Sequence, residues 1–252
     1  MIIDTHLHVV DPWTLDYPWL ATVPALNQAW PYASYELEAR RAGISRTMHM
    51  EVDVAPERIE DETNYIATLA HRPDSLIAGA IASCRPEEPE FAAYLDRQRR
   101  NPLVKGFRRV LHVMPDELSE QPLFRDNIKR MSGSGLTFDL CMLPHQLPNA
   151  MALADLAPDV TFILDHCGVP DIKGDARQPW RDHITELARR PNVVAKISGV
   201  VAYADPDTWI ADTLRPWVEH TISSFGWDRV VWGSDWPVCT LGGGPMAWVA
   251  AP

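Results

Sequence analysis

Ile2-Ile3-Asp4-Thr5-His6-Leu7-His8 opens the chain, and its composition of β-branched and apolar residues reads as a strand. Side chains alternate faces along a strand, so His6 and His8 point the same way, with Asp4 expected beside them. Two imidazoles at one strand end form a chelating pair for a divalent metal. Two surface or internally bonded histidines are the ordinary alternative.

Seven further β-rich runs follow: Thr47–Val52, Leu76–Ala82, Val104–Arg109, Thr137–Met142, Thr161–Leu164, Val193–Ser198 and Val230–Gly233. Between them lie helical stretches: Ser34–Ala42 behind a Ser34 cap, Pro56–Arg72, Pro89–Arg100, Pro122–Ser132, Pro148–Leu156, Pro179–Arg190 and Pro206–Phe225. Proline near so many helix starts fits its tolerance in the first turn. Almost wholly apolar runs such as Thr161-Phe-Ile-Leu164 fit parallel strands covered on both faces. Strands alternating with helices predict an α/β protein with a (β/α)8 TIM barrel, against an open doubly wound sheet as competitor. No Gly-x-Gly-x-x-Gly follows the first strand and no Gly-Lys-Ser/Thr loop occurs, which weighs against nucleotide-binding open sheets. A length of 252 residues suits one such barrel, and with no repeat or linker a single domain over 1–252 is expected. After the eighth strand, Leu241–Pro252 is too short and glycine-rich to form the helix that completes a barrel. The barrel is therefore expected to lack its final helix, leaving a second copy, an earlier segment or truncation of the chain to account for the gap.

The formal charge of −11 argues against nucleic-acid and anionic-membrane surfaces, which need a basic footprint. Cys84, Cys141, Cys167 and Cys239 are scattered without a C-x-x-C pair and read as buried free thiols of a reducing compartment. The N-terminus lacks a signal-peptide pattern, and no apolar run approaches the roughly 20 residues that span a bilayer. A cytoplasmic location follows as the expectation.

In a barrel the strand ends converge on one mouth. The sixth strand ends Leu164-Asp-His-Cys-Gly168 and the eighth Trp232-Gly-Ser-Asp-Trp-Pro237. Asp235 can ligate a metal and act as general base toward water, or merely cap a turn. His166 can join it or simply cap its strand. Arg108 and Arg109 face opposite sides, so at most one enters the mouth, where it would bind a carboxylate or polarise a carbonyl. Lys196 and Ser198 share a face, and a lysine in an apolar strand needs a function or a carboxylate partner. Glu51, and His112 and His145 after the fourth and fifth strands, are further candidates. Trp13, Trp19 and Trp236 offer flat faces for a ring, with core packing as their default.

Taken together, Ile3-Asp-Thr-His-Leu-His-Val-Val-Asp-Pro12, Tyr17-Pro-Trp-Leu20, Val104-Lys-Gly-Phe-Arg-Arg109, Leu164-Asp-His-Cys-Gly-Val169, Lys196-Ile-Ser-Gly199 and Trp232-Gly-Ser-Asp-Trp-Pro237 resemble the amidohydrolase superfamily. The likeness is to its lactonase branch of metal-dependent TIM-barrel hydrolases, which includes L-fuconolactone, L-rhamnonolactone and 2-pyrone-4,6-dicarboxylate lactonases. It implies a hydrolase that opens a lactone of a sugar acid or related small carboxylic acid by water attack on the ester carbonyl. By that likeness His6, His8, His166 and Asp235 are mouth residues and Arg108 contacts substrate. The expected roles are catalysis by Asp235 and His166, substrate binding by Arg108, Lys196, Glu51 and Trp236, and metal ligation by His6, His8 and Asp235. One divalent metal, zinc or manganese, is implied, with metal-independent hydrolysis as the alternative. The carboxylated early-strand lysine of two-metal members has no counterpart here. Rival expectations are non-oxidative decarboxylation of an aromatic acid and a non-catalytic barrel with a binding role. A small-molecule lactone is the expected partner, with self-association as a second, and neither nucleic acid nor membrane.

Overall fold

A computed structural model describes residues 1–244 and 248–249. Its eight strands are parallel and neighbour one another in chain order: β1 Ile2–Leu7, β2 Ile44–Met50, β3 Ile77–Ser83, β4 Val104–Val110, β5 Thr137–Cys141, β6 Phe162–Leu164, β7 Val193–Ile197 and β8 Val230–Trp232. Helices α1 Tyr32–Arg41, α2 Ile59–Ala70, α3 Phe91–Gln98, α4 Pro122–Arg130, α5 Leu147–Leu156 and α6 Trp180–Leu187 each return the chain to the next strand. The connection from β7 holds two, α7 Val200–Tyr203 and α8 Ala211–Phe225. The barrel is thus the fold, and the open-sheet competitor is excluded by the meeting of the first and last strands. That seam is narrow. Its backbone pairing is one isolated bridge between Leu7 and Trp236, with His8 N–H donating to Trp236 O (2.8 Å) and Asp235 N–H to His6 O (2.9 Å), reinforced by the Thr5 hydroxyl donating to Trp232 O (2.8 Å).

Most sequence-read boundaries shift by a few residues. The expected helix Pro206–Phe225 begins only at Ala211, while its interior Pro216 is accommodated. α1 begins at Tyr32 behind Pro31, so Ser34 lies inside the helix instead of capping it. Proline does sit in the first turn of α4 and α5. The apolar shell between strands and helices is built from large side chains: Phe107, Phe124, Phe138, Phe162, Trp180 and Trp217 are all fully buried. The four cysteines are free and buried, as read from the sequence. Among the described residues no helix is long and apolar enough to cross a membrane.

The expected lack of a final helix turns on residues 245–247 and 250–252, which lie outside the described residues. Trp248, which is described, is buried; its indole N–H donates to Gly233 O (2.9 Å), and its ring stacks with Trp232 of β8.

Candidate active site

The site lies at the carboxyl ends of the strands, where a barrel's converging side chains and loops enclose a cavity. His6 and His8 project there from the end of β1. Their Nε2 atoms are 3.1 Å apart. His8 Nδ1 lies 3.0 Å from Met50 O, which fixes the proton on Nδ1 and leaves Nε2 as the basic atom. Asp4 does not join them. The β1–β2 register shifts between Asp4 and Leu7, which breaks the simple alternation assumed from sequence. Its carboxylate accepts instead from Ser234 N–H (2.8 Å), His6 N–H (3.0 Å) and the Tyr35 hydroxyl of α1 (2.7 Å), holding the seam.

Asp235 follows β8 with φ of 57°, a left-handed conformation that a non-glycine residue adopts only when its surroundings demand it. Its Oδ1 lies 3.6 Å from His6 Nε2 and 3.5 Å from His8 Nε2. Its Oδ2 is buried without a hydrogen-bond partner among the described residues and is 3.9 Å from His166 Nδ1. His166 stands in a run of left-handed residues from His166 to Val169 that closes β6. Its Nδ1 also meets Ser198 Oγ at 3.0 Å. Gly199 permits this approach: a Cβ there would lie 2.6 Å from His166 Nδ1 and 3.1 Å from Asp235 Oδ2, at a φ of 69° that already favours glycine.

Beneath the histidines is a buried ionic cluster. Lys196 of β7 donates to Asp139 Oδ2 of β5 (2.6 Å) and to Asp165 Oδ1 (2.7 Å), and lies 3.3 Å from His6 Nδ1. Burial alone would raise the Asp165 carboxyl, but Lys196, His6 and His166 together outweigh it and hold the group well below the usual carboxylate range. Asp139 goes the other way, raised to about 7 because burial exceeds the pull of Lys196. Burial, with Lys196 close by, also keeps His6 well below the ordinary histidine value, and burial lowers His166. Arg108 of β4 is fixed by Glu51, whose Oε1 accepts from Nε (2.5 Å) and whose carbonyl accepts from Nη2 (2.8 Å). Arg108 Nη1 then sits 3.4 Å from both His6 Nε2 and Asp165 Oδ2. Arg109 turns away to Glu87, as strand alternation requires.

The cavity above measures about 340 Å³, and its polar lining includes His8, Arg108, His166 and Asp235 together with Asp53, His112, Cys141 and Tyr203. Of the residues expected to bind substrate, Arg108 does line it. Glu51, Lys196 and Trp236 do not. Glu51 and Lys196 are buried behind the wall, each tied to an opposite charge, because an unpaired charge there would be very costly. Trp236 is 3% exposed and packs against Trp30 and Tyr35, so it is core. Of the other tryptophans, Trp19 lines the cavity and Trp13 is solvent-exposed. His145 is exposed beside Asp116.

Sequence reading missed Asp139 and Asp165 as the partners of Lys196. The signal was present, since a buried lysine requires a carboxylate and Asp139 lies in the next strand but one. It also missed the pair His112–Cys141, whose Nδ1 and Sγ are 3.0 Å apart. Burial raises the Cys141 thiol and lowers His112 to about 4. Both groups are therefore neutral and share one proton-mediated contact, leaving Nε2 of His112 outside the pair.

His6, His8 and Asp235 could hold a metal, and so could His6, Asp165 and His166; within each set the ligand atoms lie within 4.8 Å of one another. The first set fits better. Its spacings of 3.1, 3.6 and 3.5 Å are near the ~3.4 Å separation that ligands ~2.1 Å from a tetrahedral ion require. Its second neighbours also suit a metal, since Met50 O orients His8 and Asp165 lies 3.5 Å from His6 Nδ1.

Comparison with known proteins gives the chain's relatives. An L-fucono-1,5-lactonase of Burkholderia ambifaria is 30% identical over 96% of this chain and 82% of its own length. A 4-sulfomuconolactone hydrolase of Rhizobium radiobacter is 26% identical over 93% of this chain and 75% of its own. Among solved structures, an amidohydrolase of Burkholderia multivorans with bound zinc matches with a TM-score of 0.87 and 26% identity, covering 100% of this chain and 89% of that one. The family model described as amidohydrolase matches residues 3–252, and the chain belongs to that family.

Proposed function

We propose that this protein hydrolyses a lactone, with Asp235 as the general base. The observation that carries the reading is the Oδ2 of Asp235, buried, unpartnered and placed on the wall of a cavity that it shares with His8, His166 and Arg108. Two lactone hydrolases among the relatives support it.

Asp235 Oδ2 takes a proton from water, whose oxygen forms a bond to the ester carbonyl carbon. The carbonyl electron pair moves onto oxygen, where the Arg108 guanidinium and His166 stabilise the charge. Collapse re-forms the carbonyl and breaks the ring C–O bond, and Asp235 returns its proton to the departing alkoxide. The product is an open hydroxy acid. Glu51 keeps Arg108 aimed, and Lys196 with Asp165 keeps His6 in place. His6, His8 and Asp235 would hold a divalent ion, zinc or manganese, which when bound polarises the ester carbonyl.

The test follows proton release from a panel of aldonolactones and other γ- and δ-lactones, using metal-free and zinc- or manganese-loaded protein. Asp235→Asn is expected to lower kcat by about 10²–10⁴ without loss of secondary structure. Turnover unchanged in that variant removes Asp235 from the mechanism. Release of carbon dioxide from an aromatic acid, with no proton release from any lactone, replaces the reading with decarboxylation.

A further inference from the structure

The cavity is divided by chemistry. Its floor holds the reacting groups His8, Arg108, His166 and Asp235. Its roof is apolar: Trp19, Leu20, Val23 and Leu26 come from the segment between β1 and α1, and Val238 and Leu241 from the turn after Pro237. The Trp19 indole donates to Val52 O at 2.8 Å, which ties this roof to the end of β2. Leu20 and Leu26 are almost fully buried, so the roof is packed into place.

Few polar groups remain to meet the hydroxyls of a substrate. Asp53 Oδ1 accepts from Arg85 at 3.2 Å, which leaves its second oxygen for a ligand. The Thr22 hydroxyl donates to Trp19 O at 2.8 Å. Cys141 and His112 are paired with each other. Among the described residues this leaves Tyr203, the second ring nitrogen of His112 and Asp53 Oδ2 as the uncommitted polar groups of the wall outside the reacting floor. A sugar lactone brings three or four hydroxyls. Each one buried without a partner lowers affinity roughly tenfold or more. Each methylene placed on an apolar wall raises it about fourfold.

We propose that the substrate is a lactone whose ring carries an alkyl or comparable apolar substituent and fewer hydroxyls than a sugar lactone. The inference rests on the lactone reading above and sharpens it to a substrate class. The ester end lies on the polar floor, the ring passes between His112 and Tyr203, and the substituent fills the space under Trp19, Val23 and Val238.

The experiment compares γ-butyrolactone with γ-lactones of increasing alkyl length and with aldonolactones of the same ring size. The expected result is a rise of about fourfold in kcat/KM per added methylene over the first few, carried mainly by KM. The aldonolactones should fall at least tenfold below the alkyl series. Val23→Asn and Val238→Asn, both at half-buried positions, should flatten that rise. Calorimetric binding of the same compounds to Asp235→Asn reads the preference without turnover, with a heat-capacity change that grows more negative along the series. Aldonolactones with higher kcat/KM than the alkyl lactones would overturn the inference and leave the lactonase reading standing. If no lactone is turned over, the lactonase reading falls. Alkyl-dependent binding would then still support an apolar ligand, and a flat binding series would overturn that as well.

Discussion

Lys196 shows what a single side chain does at the base of this site. It is 2% exposed and contacts two carboxylates and a histidine. Removing one member of such a buried cluster leaves uncompensated charge, at a cost of about 3–5 kcal/mol. Lys196→Met is therefore expected to lower the unfolding free energy by that amount, measured by urea denaturation. A second substitution, Asp165→Asn, should recover part of the loss in the double variant, because it removes one of the stranded charges. Gly199 makes a different demand. Gly199→Ala puts a methyl 2.6 Å from His166 Nδ1 at a positive φ, so a loss of about 1–3 kcal/mol and a fall in kcat are expected together. At this scale the sequence was readable where the chemistry is local: His6, His8, His166 and Asp235 stand out by position at strand ends. It was misleading at Asp4, Glu51 and Trp236, because which neighbour a side chain meets depends on register and on packing across the barrel.

Elements carry the next level of control, and α2 supplies an example. Glu62 on this helix is buried, accepts from Val52 N–H at 2.8 Å through Oε1, and has no partner at Oε2 among the described residues. Burial, reinforced by Glu51, raises its carboxyl well above the ordinary value of 4.5. The folded state thus holds this proton more tightly than the unfolded chain. No penalty exists below pH 4.5, and stability declines as pH rises from there toward the folded value. Glu62→Gln should remove that decline: its melting temperature should match the wild type near pH 4 and exceed it at pH 8. A pH slope equal in both proteins would show that Glu62 does not titrate in the folded state. The eight strands were legible because apolar runs and proline-led helices recur with a regular spacing. Helix starts such as Ala211 were not, since its N-cap position holds Ile210 and not a Ser, Thr, Asp or Asn that would mark it in sequence.

For the whole molecule, closure of the barrel rests on a short backbone pairing, and the site depends on it. β4 and β5 pair over five residues from Gly106 to Val110, whereas β8 pairs with β7 over three, from Val230 to Trp232. Short ladders beside a narrow seam open locally more readily than long ones. Amides of β8 are expected to exchange with deuterium well before those of Phe107–Val110, by mass spectrometry or NMR. Equal protection would place the seam within the global unfolding unit. This closure joins Ser234 to His6, 228 positions apart in the chain. A polypeptide made from its N-terminus onward therefore carries both histidines from its first moments without a working centre. Only when Asp235 has been synthesised and the ring of strands is shut does the reactive constellation come into being. With Asp235 as the proposed general base, hydrolytic turnover would be a test of completed folding, and a chain stopped short of Asp235 is expected to be inert whatever its other strands have built.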